Sequence, residues 1–121
     1  MLNKARIAVF VSGGGTNLEA LLQAGEAGQI PHGEFALVCA SNEKAYALER
    51  AKNHGVPGVA VSKKGMSQEA FEEALNKYLE EYQIDFIILA GFLNVVSNNF
   101  LIESAIFDSV SIRYTSRKLE L

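Results

Sequence analysis

Residues 13–17 read Gly-Gly-Gly-Thr-Asn, directly after the apolar run Ile7, Ala8, Val9, Phe10, Val11 and ahead of Leu18, Leu21 and Leu22 at helical spacing. Glycine is costly inside regular structure, so three in a row mean that the backbone there turns sharply or lets something approach closely. Where such a loop feeds a helix, free backbone N–H groups and the positive end of the helix dipole face the same space. An anion is their natural guest, and a phosphate fits best. The dipole alone contributes about 0.3–1 kcal/mol at an exposed site and ~2 when partly buried, so several N–H bonds must act together. Thr16 or Asn17 is placed to cap the helix or to reach the ligand.

The glycines alone leave the phosphate unnamed. Gly13 and Gly15 match the first two positions of a GxGxxG dinucleotide fingerprint, but Leu18 stands at the third. The second apolar run ends in Ser41-Asn42 rather than in the acid that would hold an NAD ribose, although Glu43 is near. No Gly-Lys-Ser/Thr is present, which removes the P-loop reading. A non-catalytic nucleotide- or phosphate-binding module, and a tight turn with no ligand, remain alternatives on these residues.

The other reactive side chains offer less. Cys39 has no second cysteine to pair with and no His at metal-ligand spacing, and it reads as a small buried hydrophobe. No metal site is expected. His32 and His54 lie next to glycines and read as solvent-exposed loop or helix-end residues. The acidic residues between Glu69 and Glu81 read as the solvated face of a helix.

The elements that must position the glycine loop follow from periodicity. Residues 7–11, 35–40 and 84–89 are short apolar runs of the kind buried on both faces of a sheet, and 59–61 is a weaker strand. Between them, Ala45, Leu48 and Ala51 recur at helical spacing up to His54-Gly55. Ala70, Phe71, Ala74, Leu75, Tyr78, Leu79 and Tyr82 make an amphipathic helix over 68–82. Strand, helix, strand, helix in this order predicts an α/β fold, a doubly wound, Rossmann-like parallel sheet with flanking helices. In such a fold the loop after the first strand lies at the carboxyl edge of the sheet, beside the usual binding crevice.

Composition sets the class. The 121 residues are 49% hydrophobic and form one domain over 1–121, enough chain to bury roughly two thirds of its unfolded surface. Eleven basic against 14 acidic residues give a formal charge of -3, without the basic footprint of a nucleic-acid binder. A single cysteine, no signal-peptide pattern and no membrane-length apolar run predict a soluble cytoplasmic protein that does not engage a membrane.

Three stretches together carry a family resemblance. "ARIAVFVSGGGTNLEALL", "VCASNEKAYALERAKNHGV" and "IDFIILAGFLNVVSNNF" resemble, in order and spacing over residues 5–101, the N-terminal half of phosphoribosylglycinamide formyltransferase. That family transfers a formyl group from 10-formyltetrahydrofolate to glycinamide ribonucleotide in purine biosynthesis. The resemblance implies that Gly15, Thr16 and Asn17 hold the phosphate of glycinamide ribonucleotide, and that Leu93, Asn94, Val95 and Val96 line the folate pocket. For the three apolar members of that group, ordinary core packing is an equal reading. A family basic residue falls at Gln68, which lacks the charge.

The departures are concentrated further along. The family has Arg at the position of Asn94 and Pro at that of Asn98. Its catalytic Asn-Ile-His-Pro-Ser finds only a loose counterpart in "SIRYTS", with Ser111 for the Asn, Arg113 for the His and Tyr114 for the Pro. Arginine stays protonated at working pH and cannot act as the acid and base that an imidazole can be. No catalytic residue is therefore assigned. Residues 102–121 read as a divergent tail of a truncated formyltransferase domain, and the chain alone is expected not to transfer formyl groups. If the family's other half normally covers the sheet beyond residues 84–89, that edge is left unpaired, and self-association is expected there.

Overall fold

The computed structural model describes residues 4–90, 103–107 and 110–114. Its elements are β1 (Ala5–Val11), α1 (Thr16–Glu26), β2 (Gly33–Ala40), α2 (Tyr46–Asn53), β3 (Gly58–Ala60), α3 (Gln68–Glu81), β4 (Phe86–Ala90), β5 (Glu103–Phe107) and β6 (Val110–Tyr114). The sheet order is β3-β2-β1-β4-β6-β5. The first four strands are parallel, as the alternation of strand and helix predicts.

Side chains of the parallel strands alternate between two cores. Ala8, Phe10, Leu37, Cys39 and Ile87 point toward α3, where Phe71, Leu75 and Leu79 meet them. Ile7, Val9, Val11, Val38, Ala40, Ile88 and Ala90 face Leu18 and Leu22 of α1 and Ala47 and Ala51 of α2. Helices on both faces explain why these strands read as continuous apolar runs instead of alternating ones. Register slips once: Ile7 pairs with Phe35 but Ala8 pairs with Leu37, so β2 carries one extra residue, Ala36. The slip keeps each pair facing the same core. Cys39 is 1% exposed within the α3 core, and burial pushes its thiol up to about 12.

All three helices close in the same way. The residue after the C-cap is left-handed, at Gly28, Gly55 and Gln83, and the next N–H returns to a carbonyl five residues back. In α3 that bond runs from Ile84 N to Leu79 O at 2.9 Å, and both side chains join the same core. Ile84 therefore belongs to the helix stop, and the strand begins at Phe86 instead of residue 84. At its other end α3 is capped by Ser67, whose hydroxyl accepts the Ala70 N–H at 3.1 Å.

The expected open edge is not at β4. Strand β6 pairs antiparallel along it, from Ala90 opposite Val110 to Phe86 opposite Tyr114, and β5 pairs antiparallel outside β6. The backbone groups expected to be free are taken by the following chain, so the argument for self-association at that edge falls away. No helix among the described residues is long and apolar enough to cross a membrane.

Candidate functional site

The glycine loop sits where β1 hands over to α1. Gly13 and Gly14 are exposed, as are Thr16 and Asn17, while Leu18 is buried. Helix geometry leaves the N–H groups of Thr16, Asn17 and Leu18 without intrahelical partners. The first bond of the ladder runs from Glu19 N to Gly15 O at 2.9 Å. Gly15 itself is the N-cap, at φ 77, and no side chain caps the helix. The expectation that Thr16 or Asn17 does so is corrected: both are already inside the helix, and the left-handed turn leaves the cap to a residue without a side chain.

The three glycines have different reasons to be glycine. At Gly15 a Cβ would stand 2.8 Å from the Cβ of Ala47 and 3.2 Å from its Cα, so α2 packs directly on the turn. Among the described residues a Cβ at Gly13 or Gly14 would meet nothing within 4 Å, and neither has a left-handed backbone. Of these three, the contacts among the described residues require glycine at position 15 alone. Open space at 13 and 14 is what close approach of a ligand to the backbone requires.

Helix α2 also holds the loop by hydrogen bonds. Ala47 N donates to Gly13 O at 3.3 Å. Arg50 Nε donates to Gly14 O at 2.6 Å, and its Nη1 donates to Glu19 Oε1 at 3.1 Å. The guanidinium lies 4.9 Å from the centre of the Tyr46 ring, within cation–π range. Glu19 Oε2 takes His54 Nε2 at 2.7 Å and Gln23 Nε2 at 2.9 Å, while His54 Nδ1 meets Glu26 Oε2 at 2.8 Å. The His54 side chain is only 14% exposed, which corrects its reading as a solvent-facing residue. His32 is exposed in the turn before β2.

Of the remaining predicted site residues, Leu93, Asn94, Val95 and Val96 lie outside the described residues. Ser111, Arg113 and Tyr114 fall on β6, opposite Leu89, Ile87 and Phe86. Gln68 accepts from Lys63 Nζ at 2.5 Å and donates to Glu72 Oε2 at 2.7 Å. A cation at that position is thus supplied by Lys63. Sequence reasoning missed Arg50, Glu19 and His54. The available signal was Glu19 and Glu26, seven residues apart on one helical face, facing a second helix that carries Arg50 and His54. A cavity of about 390 Å³ lies elsewhere, lined by Leu22, Gly25, Glu26, Phe35, His54 and others, and includes no residue of the glycine loop. The N–H groups of Thr16, Asn17 and Leu18, which the helix leaves unpaired, make the loop the candidate anion site in preference to this cavity. Among the described residues no group of three His, Cys, Asp or Glu side chains could hold a metal ion.

Hydrogen bonds to Glu26 and then Glu19 raise the His54 pKa above its ordinary 6.5; hydrogen bonds from His54 and then Gln23 hold Glu19 below its ordinary 4.5. A raised histidine stabilises the fold fully below about 6.5 and loses that contribution as pH rises through the raised value. A lowered carboxylate contributes above about 4.5 and is lost as pH falls through the lowered value. Thermal unfolding followed by circular dichroism should therefore show Tm declining from pH 6.5 upward. A His54→Gln variant should flatten that limb, and an unchanged limb would contradict the assignment. The same method separates the glycines. Gly13→Ala should change stability by no more than about 1 kcal/mol, whereas Gly15→Val, with strain and overlap together, should cost about 2 kcal/mol or more.

The formyl transferase family model matches residues 5–107. The phosphoribosylglycinamide formyltransferase of Haemophilus influenzae is 34% identical over 96 residues, covering 78% of this chain and 45% of that protein. The trifunctional purine biosynthetic protein adenosine-3 of Drosophila pseudoobscura is 35% identical over 102 residues, 83% of this chain and 8% of that one. Among solved structures, phosphoribosylglycinamide formyltransferase from Bacillus halodurans superposes with a TM-score of 0.74 at 42% identity, covering 78% of this chain and 49% of that one. The chain spans less than half the length of these curated relatives. A match that runs from the start of β1 to the end of β5 shows that this chain belongs to the formyl transferase family.

Proposed function

We propose that the chain carries the phosphate half-site of a glycinamide ribonucleotide formyltransferase, acting in cytoplasmic purine biosynthesis with 10-formyltetrahydrofolate as formyl donor. The observation that carries this reading is the pair Gly13 and Gly14. Neither is required by packing or backbone conformation, and both border open space beside the free N–H groups of α1. The phosphate of the ribonucleotide accepts from the N–H groups of residues 15–17, and the helix dipole adds to that attraction. Thr16 and Asn17, exposed in the first turn, add side-chain donors.

The folate supplies the formyl carbon. Leu93, Asn94, Val95 and Val96 are the residues proposed to line its pterin. Formyl transfer also needs a group that takes a proton from the attacking amine near neutral pH, and histidine is the usual choice. The loose family alignment places Arg113 at that position, and a guanidinium holds its proton. We therefore assign ribonucleotide binding, and not the complete transfer, to these 121 residues by themselves. Neither a nucleic acid nor a membrane enters this reading.

Calorimetric titration with glycinamide ribonucleotide tests it, with ATP and NAD as comparison ligands. Saturable heat for the ribonucleotide alone is expected, and Gly13→Val should abolish it while leaving the folded spectrum unchanged. Gly15→Val cannot serve here, because its overlap with Ala47 disturbs the fold itself. Equal binding of ATP would favour the nucleotide-module alternative, and no heat for any phosphate ester would sink the phosphate reading.

A further inference from the structure

The contacts of Arg50 and His54 form a chain that ends on the glycine loop. The Arg50 Nε–H holds the Gly14 carbonyl at 2.6 Å, on the part of the loop that packing leaves free. The Arg50 fork is itself oriented by Glu19 at 3.1 Å and by the ring of Tyr46. Glu19 is in turn held by His54.

Geometry fixes what His54 must be. Both ring nitrogens face carboxylate oxygens, Nδ1 toward Glu26 at 2.8 Å and Nε2 toward Glu19 at 2.7 Å. An ionised carboxylate only accepts, and a neutral imidazole has one N–H to give. The imidazolium alone satisfies both contacts, and losing its proton turns a lone pair toward one of the two carboxylates. Its charged partners are Glu19 and Glu26 from α1, and Arg50 from α2 shares Glu19 with it. Lys4, just before β1, and Glu34, in β2, line the cavity that His54 borders.

We propose that Arg50 is the positioning residue of the glycine loop, and that the proton on His54, relayed through Glu19, controls how firmly Arg50 holds it. With His54 protonated, one Glu19 oxygen is committed to the imidazolium and the other to Arg50, so the guanidinium keeps Gly14 with its carbonyl turned toward α2 and the loop N–H groups turned away from it. With His54 neutral, Glu19 rearranges, Arg50 loses its orienting partner, and the loop relaxes. Anion binding is therefore tighter on the acid side of the His54 titration. Desolvation opposes the protonated form, but the two carboxylate contacts outweigh it.

This inference rests on the loop being the phosphate site, yet its main test needs no ligand. Amide resonances of residues 13–17 and the His54 ring proton are followed together by NMR as pH is raised through the neutral range in the whole chain. The loop amides should shift with the same midpoint as His54, and Glu19→Gln should remove that shared midpoint. Loop amides that stay still while His54 titrates, or that follow it equally in Glu19→Gln, would overturn the proposal. If Glu19→Gln does not fold, the wild-type titration decides alone.

The binding arm uses inorganic sulfate, whose charge is constant over this range, unlike that of a phosphate ester with its second pKa near about 6. Arg50→Ala should weaken sulfate by about tenfold, the scale of one lost charge-assisted contact. Arg50→Lys should recover only part, since an ammonium lacks the planar fork. Unchanged affinity in Arg50→Ala overturns the positioning role. Failure of the wild-type chain to bind sulfate or ribonucleotide at any pH contradicts the phosphate reading, while the amide titration still decides the link from His54 to the loop.

Discussion

The first turn of α2 lies against the first turn of α1 at a distance that a side chain on residue 15 would forbid. With a Cβ there, the nearest atom of Ala47 would be 2.8 Å away, and the left-handed backbone at φ 77 would be strained in addition. Because residue 15 is glycine, the two helices close over the end of the sheet. Ala47 then reaches Gly13, Arg50 reaches Gly14, and Arg50 and His54 both reach Glu19. These contacts between α2 and the loop depend on that approach. It also places the unpaired N–H groups of α1 at the carboxyl edge of the parallel sheet, where doubly wound folds bind ligands.

The neighbouring glycines have a different role, and the division matters for function. A turn that existed only to join β1 to α1 would need glycine at position 15 and would tolerate side chains at 13 and 14. The chain spends glycine, entropically costly in the unfolded state, at two positions where the protein itself makes no use of it. The proposed phosphate would account for this, since it would have to come within hydrogen-bond distance of the backbone.

Much of the fold was legible in the sequence because its signals are local. Runs buried on both faces marked β1 and β2, and an amphipathic period marked α3. Gly28 and Gly55 stood where two helices stop. What escaped has a physical cause in each case. The α3 stop uses Gln83 in a left-handed conformation that no glycine announces, so the following strand was read two residues too early. The β5–β6 hairpin depends on pairing with β4, which no local pattern encodes, and without it the sheet edge was read as open. At the site, the loop was found from its glycines, whereas its clamp was not. Arg50 is 36 residues from Gly14 in sequence, and His54 looked exposed because it precedes a glycine at a helix end. The contacts that bury it come from another helix.

The phosphate proposed for this loop would sit on its backbone N–H groups. The most direct measurement is an amide NMR spectrum of the chain with and without glycinamide ribonucleotide. Saturable shifts concentrated on the amides of residues 13–18 are expected, with those of Phe35 and Val56 in the cavity beside His54 moving less. Shifts centred on that cavity, or none at saturating ligand, would contradict it.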